Sequence, residues 1–272
     1  MCDIEEEDDD DWCFTASFVH KNVITNPSGA PSGYGKQNSF EIRVKIDPTG
    51  EAYPLEISNE MKIEELMSQL EFLTGIPIHI QKLWYLDEGD LQPDTDVRQN
   101  SIVPDGLLHV TVRYTWYKII DSVYNDDIDL LMTQGVTPDS HFTSPNLDYL
   151  ARWHPKERRE AINDRSLVAL YMAAHRGRLN IVNRLLEAGS EVNGMTPNGR
   201  TALHVAASRG HGDVMDTLLE HGATPDVVDM DGETPSSIAI KHGHKDCDRH
   251  LFMFRWQQRA KNRLKQNMSK NG

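Results

Sequence analysis

Hydrophobic and polar residues alternate with period two along "FEIRVKID" (Phe40–Asp47) and again along "EAYPLEIS" (Glu51–Ser58), with Pro48-Thr49-Gly50 between them. Such alternation places every second side chain on one buried sheet face, and Pro-Thr-Gly is turn chemistry, so the pair predicts a hairpin. The period then changes. In "NEMKIEELMSQLEFLTG", Ile63, Leu66, Met67, Leu70 and Leu73 recur at helical spacing, and Gly75 supplies the stop. A short strand over "QKLWYL", a loop over "DEGDLQPDTDVRQNSIVPDG" and a last strand over "LLHVTVRY" complete the order β-β-α-β-β in about 75 residues. Alternation on these strands turns Leu83, Leu108 and Val110 inward and Lys45, Lys82, Trp84, His109 and Thr111 outward.

Beyond the last strand the spacing is helical and repeats itself. Gly199, Thr201, Gly210 and His211 recur 33 residues later as Gly232, Thr234, Gly243 and His244. Ala206, Ala207, Gly210, Leu218, Leu219 and Gly222 recur 33 residues earlier as Ala173, Ala174, Gly177, Leu185, Leu186 and Gly189. A fixed period of this length predicts an array of helix pairs. Each position has a physical task. Thr201 can cap a helix. The alanine pairs let neighbouring helices approach closely, and Gly210 supplies a left-handed turn. The leucine pairs bury the second helix, and "GATPDVVDMDGETP" is a turn-rich connector. A single pair cannot bury its apolar face, so stacking stabilises the array.

These residues resemble the ankyrin repeat, whose pattern reads Gly-x-Thr-Pro-Leu-His-x-Ala-Ala, then Gly-His, then Leu-Leu-x-x-Gly-Ala. Arg200–Asp226 follows it almost throughout, with Ala202 in place of proline. "ALYMAAHRGRLNIVNRLLEAG" and "DGETPSSIAIKHGHKDC" are further copies, and "WYKIIDSVYNDDIDLLMTQGVTPD" is a degenerate first one, giving four repeats. An insertion falls near residues 141–163, around "SPNLDYLARWHPKERREAIND". The stretch Phe40–Arg113 resembles ubiquitin through its Lys-x-x-x-Thr-Gly turn, "TGIP" after the helix, "QKLWY" and "LLHVTV". The layout is similar to the family of ankyrin-repeat and ubiquitin-like-domain proteins.

The resemblance implies an α+β chain: a ubiquitin-like β-grasp domain (38–114), then an all-α ankyrin-repeat solenoid (115–256). A disordered acidic segment (1–37) would precede them and a basic tail (257–272) would follow. Tyr114 continues into a helix where ubiquitin ends in a free Gly-Gly carboxylate, so the domain would dock rather than be conjugated. The implied function is a non-enzymatic adaptor acting through two surfaces. The array would grip one protein through Arg165, Tyr171, Asn198, Arg200, Ser208, Arg209 and Asp231, which flank the structural positions. The sheet face with Lys45, Lys82, Trp84, His109 and Thr111 would meet another, a ubiquitin receptor or ligase component. The bland alternative is that Trp84 packs against the chain's own array or N-terminal segment.

Composition narrows the remaining chemistry. With 38% hydrophobic and 26% charged residues and no long apolar run, the chain reads as a soluble monomer. Three scattered cysteines suit a reducing compartment, cytosol or nucleus. The net charge of −14 argues against general nucleic-acid binding, but it is uneven. Eight acids fall within the first eleven residues, whereas seven Lys or Arg and no acids follow Asp248. The ends therefore carry opposite signs. Trp12, Phe14 and Phe18 follow the acids, while Leu251, Phe252, Phe254 and Trp256 are expected to seal the array ahead of Arg259, Lys261, Arg263 and Lys265. A membrane- or nucleic-acid-surface role for that basic tail is one alternative. Another is a ubiquitin-system enzyme using Cys247. His242, His244, Cys247 and His250 form the most metal-like cluster, yet Gly243-His244 are routine repeat residues. No Walker loop, GxGxxG, HExxH or nucleophile elbow occurs, and no cofactor is implied.

Overall fold

The computed structural model describes residues 39–86, 89–137 and 155–270. The acidic segment 1–37 and the first part of the expected insertion lie outside the described residues. Strands β1 (Ser39–Ile46) and β2 (Ala52–Ser58) form the antiparallel hairpin, closed at Gly50 with φ 71°. Strand β4 (Leu107–Val112) pairs parallel to β1 and antiparallel to β3 (Gln81–Tyr85). The sheet is therefore mixed, in the order β2-β1-β4-β3. Period-two alternation sends Ile42, Val44, Ile46, Leu83, Leu108 and Val110 to one face, all buried. Helix α1 (Ile63–Thr74) contributes Ile63, Leu66 and Leu70 to the same core, and Gly75 ends it in the left-handed conformation. Leu91, Val97 and Ile102 tack the long β3–β4 loop down onto this core.

Among the described residues eight helices follow: α2 (Tyr114–Tyr124), α3 (Ile128–Met132), α4 (Pro155–Arg176), α5 (Leu179–Glu187), α6 (Ala202–Arg209), α7 (Gly212–Glu220), α8 (Pro235–Lys241) and α9 (Lys245–Lys270). Helices α2, α4, α6 and α8 pack in sequence as one row, and α3, α5, α7 and α9 as a second. Ala173, Ala174, Ala206 and Ala207 are fully buried between neighbours, which is why only small side chains fit there. His204 ties the repeat together. Its Nδ1 accepts from the Thr201 N–H at 3.1 Å and its Nε2 donates to the Val227 carbonyl at 3.1 Å, a bridge that requires the neutral ring.

Two sequence expectations change. The stretch 155–163, the later part of the expected insertion, is continuous with the repeat that follows: it forms the first turns of α4, a single helix of 22 residues, because "KERREA" is rich in helix formers behind a proline at the first position. Helix α9 runs through the expected boundary at 256/257 as far as Lys270, and only part of its aromatic run seals the array. Leu251 is buried and Phe254 packs on the core, but Phe252 and Trp256 are 60% and 59% exposed. They lie on the opposite side of a helix whose inner face carries Cys247 and Leu251. Among the described residues no helix is long and apolar enough to cross a membrane.

Glycines at the helix-pair turns separate backbone strain from packing. Gly210 and Gly243 have φ values of 79° and 82°, yet a Cβ on Gly210 would lie 2.6 Å from His244 Nδ1, whereas one on Gly243 meets nothing within 4 Å. Gly243→Ala is expected to cost about 1–2 kcal/mol, the left-handed penalty alone. Gly210→Ala is expected to cost measurably more, because His244 must also move. Urea unfolding of the two variants checks the difference.

Candidate functional site

Two surfaces carry the residues singled out by sequence. The first is the sheet face turned away from α1. Register places Trp84 opposite His109 and Lys82 opposite Thr111, with Lys45 beside His109 on the other flank. All five side chains are partly exposed. The Trp84 and His109 rings stack at 4.1 Å between centroids with 21° between planes. His109 Nδ1 meets Asp47 Oδ1 at 2.8 Å, and Lys82 Nζ meets Asp90 Oδ2 at 2.7 Å. The result is a flat aromatic platform, held by its own cross-strand stack and rimmed by Lys45, Lys82, Asp47 and Asp90. The Lys82–Asp90 pair is exposed and contributes little stability, whereas His109 and Asp47 are largely covered. A preset aromatic plate among them is suited to binding.

The second is the inner face of the helix array, where the sequence placed a gripping surface. The structure fills it with the chain's own sheet module. Ser68, Glu71, Phe72 and Gly75 form a second stripe of α1, spaced i, i+3, i+4, i+7, and this stripe faces the array. Arg200 is 2% exposed and reaches into it: Nη1 donates to Glu71 Oε2 at 2.8 Å and to the Ser68 carbonyl at 2.8 Å, and Nη2 donates to Ser68 Oγ at 2.9 Å. The same guanidinium contacts Asp231 at 2.8 Å and Asp229 at 3.5 Å and lies 3.8 Å over the Phe72 ring. Burial works against its charge, but Glu71, Tyr171 and Asp231 more than offset this and hold its pKa above the ordinary value. Beside it, Asn198 donates to Glu71 Oε2 at 2.9 Å, and Arg176 grips the Glu51 carboxylate through both terminal nitrogens, at 3.1 and 2.5 Å.

His175 completes the junction. A Cβ on Gly75 would fall 2.5 Å from its ring, and its Nε2 donates to the Phe72 carbonyl at 3.0 Å. His211 sits the same way one repeat on, against Gly177, with Nε2 donating to the His175 carbonyl at 3.0 Å. The end of α1 thus presents to the array the surface that one repeat presents to the next.

The expected gripping residues are therefore largely internal. Arg165 is buried, donates to the Gln134 and Thr115 carbonyls and lies over Trp116. Tyr171 is fully buried, and Ser208 is buried with its hydroxyl on the Val205 carbonyl. Asn198 and Arg200 serve the junction. Asn198 and Arg209 are half-buried and Asp231 is exposed, although Asp231 also pairs with Arg200. Exposed apolar side chains cluster instead on the connectors between helix pairs: Met195, Val228 and Met230, of which Met195 and Val228 occupy the same repeat position. Sequence reasoning missed Ser68, Glu71, Phe72 and Glu51. The stripe spacing was present, but a polar stripe carries no hydrophobic signal.

Cys247 is 2% exposed, and burial together with Asp246 and Asp216 pushes its thiol pKa up, the reverse of what a nucleophile requires. His250 is engaged by Asp216 at 2.9 Å. Among the described residues no three His, Cys, Asp or Glu side chains converge as metal ligands.

Residues 160–261 match the family model described as ankyrin repeats, in three copies, so that stretch of the array carries ankyrin repeats. No curated protein matches the chain.

The junction generates two predictions. Removing Arg200 leaves Glu71 and Asp229 buried without their cation, so Arg200→Ala is expected to lose about 3–5 kcal/mol in urea unfolding. Arg200→Lys should recover little, because one ammonium cannot reproduce the forked contacts. The second concerns pH. Burial holds the pKa values of His175, His204 and His211 below the ordinary 6.5, with Arg209 and Arg176 adding to the effect at His175. The unfolded chain then binds protons that the folded chain refuses, and stability falls as pH drops below about 6.5. His175→Gln should be less stable at pH 7.5 yet lose less between pH 7.5 and 5.5, as read from urea midpoints at each pH.

Proposed function

We propose that the chain is a non-enzymatic protein-interaction adaptor that presents the outer face of its sheet module on a rigid ankyrin mount. Ankyrin repeats are protein-binding modules, and here the inner face of the array is occupied by α1. The single observation that carries the reading is orientation. One side of α1 packs on the sheet and the other on the array, so the Trp84–His109 platform points away from both. Such a plate, rimmed by both signs of charge, suits a partner that buries an aromatic anchor and reads polar neighbours.

The strand order β2-β1-β4-β3 with α1 packed on one face, together with the ubiquitin-like motifs, supports reading the module as a β-grasp domain of ubiquitin-like type. Its partner would then be a receptor or ligase component that recognises ubiquitin-like sheets. Because the chain runs through Arg113 into α2, no free carboxylate follows β4 and the module docks without being conjugated. The ankyrin side would contribute a second contact along Met195, Val228, Met230, Asp231 and Arg209. Cytosol or nucleus is the compartment that suits a buried free thiol.

The test is binding to tagged full chain in a lysate, with partners identified by mass spectrometry and then purified. Trp84→Ala combined with His109→Ala is expected to weaken one partner about 30-fold, the loss of a 2 kcal/mol anchor. The urea midpoint of the same variant serves as control, because His109 is only 16% exposed and its removal also costs the Asp47 contact and the cross-strand stack. Retention of every partner by this variant would remove the sheet face from the proposal.

A further inference from the structure

Helix α9 has two faces of different character. Cys247 and Leu251 are buried in the array, and Phe254 packs against it. On the other side Phe252 and Trp256, four residues apart, leave most of their rings in water, with Met253 beside them at 44% exposure. On the same side of the next two turns stand Arg259 and Arg263, seven and eleven residues beyond Phe252 and both exposed. Among the described residues no carboxylate lies within ion-pair distance of these two, and no acid follows Asp248 in the sequence. An aromatic patch running into an uncompensated basic stretch is unusual on a chain whose net charge is −14.

The same chain contains the complementary pattern in reverse order. Residues 3–11 hold eight carboxylates, and Trp12, Phe14 and Phe18 follow them. Laid antiparallel along the outward side of α9, the carboxylates would meet Arg259 and Arg263 while the aromatic residues would meet Trp256 and Phe252. The match extends to length. Arg259 to Arg263 spans about 6 Å of helix, and nine extended residues span about 30 Å, so the acidic block covers the basic turns fully. Twenty residues separate Phe18 from the start of β1 at Ser39, a reach of up to about 66 Å. That exceeds the radius of gyration of about 18 Å expected for a body of this many residues several times over.

We propose that residues 3–18 dock onto the outward aromatic and basic face of α9 within the same molecule. A tethered segment competes at an effective concentration in the millimolar range, which places it ahead of a free acidic partner of similar affinity. The overall negative charge disfavours an anionic lipid surface for the same face. The contact is carried by charge-assisted hydrogen bonds and by aromatic burial, so it weakens with salt.

The test is zero-length carbodiimide cross-linking of the full chain carrying Arg259→Lys, which places an amine on that face, read by mass spectrometry on a mixture of isotopically heavy and light protein. Links between carboxylates of residues 3–11 and the amine at position 259 are expected within single molecules. They should fall at least fivefold on adding Arg263→Glu, at least fivefold in 0.5 M salt, and less steeply on adding Phe252→Ala/Trp256→Ala. These side chains are exposed, so the variants keep their fold, with the urea midpoint as control. No links to position 259, or links indifferent to the charge reversal, would overturn the proposal. So would links mainly between heavy and light molecules, which would assign the face to a second copy. Sedimentation of the intact chain with phosphatidylserine-containing vesicles, lost in Phe252→Ala/Trp256→Ala, would assign it to a membrane and likewise overturn it.

Discussion

A guanidinium removed from water must find its hydrogen-bond acceptors inside the protein, and Arg200 finds them on two modules at once. Its side chain and those of Glu71 and Asp229 are at most 2% exposed. Glu71 and Ser68 come from α1, whereas Asp229 and Asp231 come from the connector one repeat further on. Neither module alone completes the set. Without the sheet module, Arg200 would face a water-filled concavity; without the array, Glu71 would sit hydrated on a helix surface. Desolvation of the three charges is offset only in the assembled form, and this ties the relative position of the modules to the folding of each. Arginine suits the position because its planar fork can address Ser68, Glu71 and Asp231 in different directions while its face rests on Phe72.

The histidines extend that constraint along the array. His244 packs on Gly210, His211 on Gly177 and His175 on Gly75, so one contact type runs across the boundary between sheet module and helix pairs. A repeat array needs its first and last units closed off, because each interior unit is stabilised by neighbours on both sides. At the far end α9 supplies this closure with Leu251 and Cys247. At the near end α2 and α3 form the first, short helix pair, and the end of α1 covers the neighbouring inner face. The sheet module therefore acts as a cap as well as a surface. A side chain at Gly75 would strike His175, which accounts for glycine there beyond its left-handed φ of 76°.

Much of this was legible in the residues. Period-two alternation over Phe40–Asp47 and the apolar stripe from Ile63 to Leu73 located the sheet and α1, and the 33-residue recurrence located the helix pairs. Alternation also placed Trp84 and His109 together on the outward face, where they stack. The destination of Arg200 was not legible. In a repeat read by itself, positions 198 and 200 flank the structural ones and look free for recognition. Their burial depends on a neighbour that is 127 and 129 residues away in sequence, contacted through a polar stripe without hydrophobic periodicity. Phe252 and Trp256 failed in the opposite sense. Four apolar residues within six positions suggest a sealing patch, but a helix turning 100° per residue cannot direct all of them inward.

Occupation of the inner face has a consequence for recognition. Arrays of stacked helix pairs offer a concave face, connector edges and an outer row of helices. Here the first is largely internal, so in the proposed reading selectivity would fall to the sheet plate and to connector residues such as Met195 and Val228. Because Arg200, Glu71 and His175 fix the sheet module on its mount, these two surfaces keep a set separation and orientation. A partner that engages both gains from geometry already established in the free protein rather than ordering two independent domains on binding. Loss of the Arg200 contacts to Glu71 and Ser68 is what opposes separation of the modules, hydration of the freed charges offsets part of that loss, and the same charges make the equilibrium sensitive to salt.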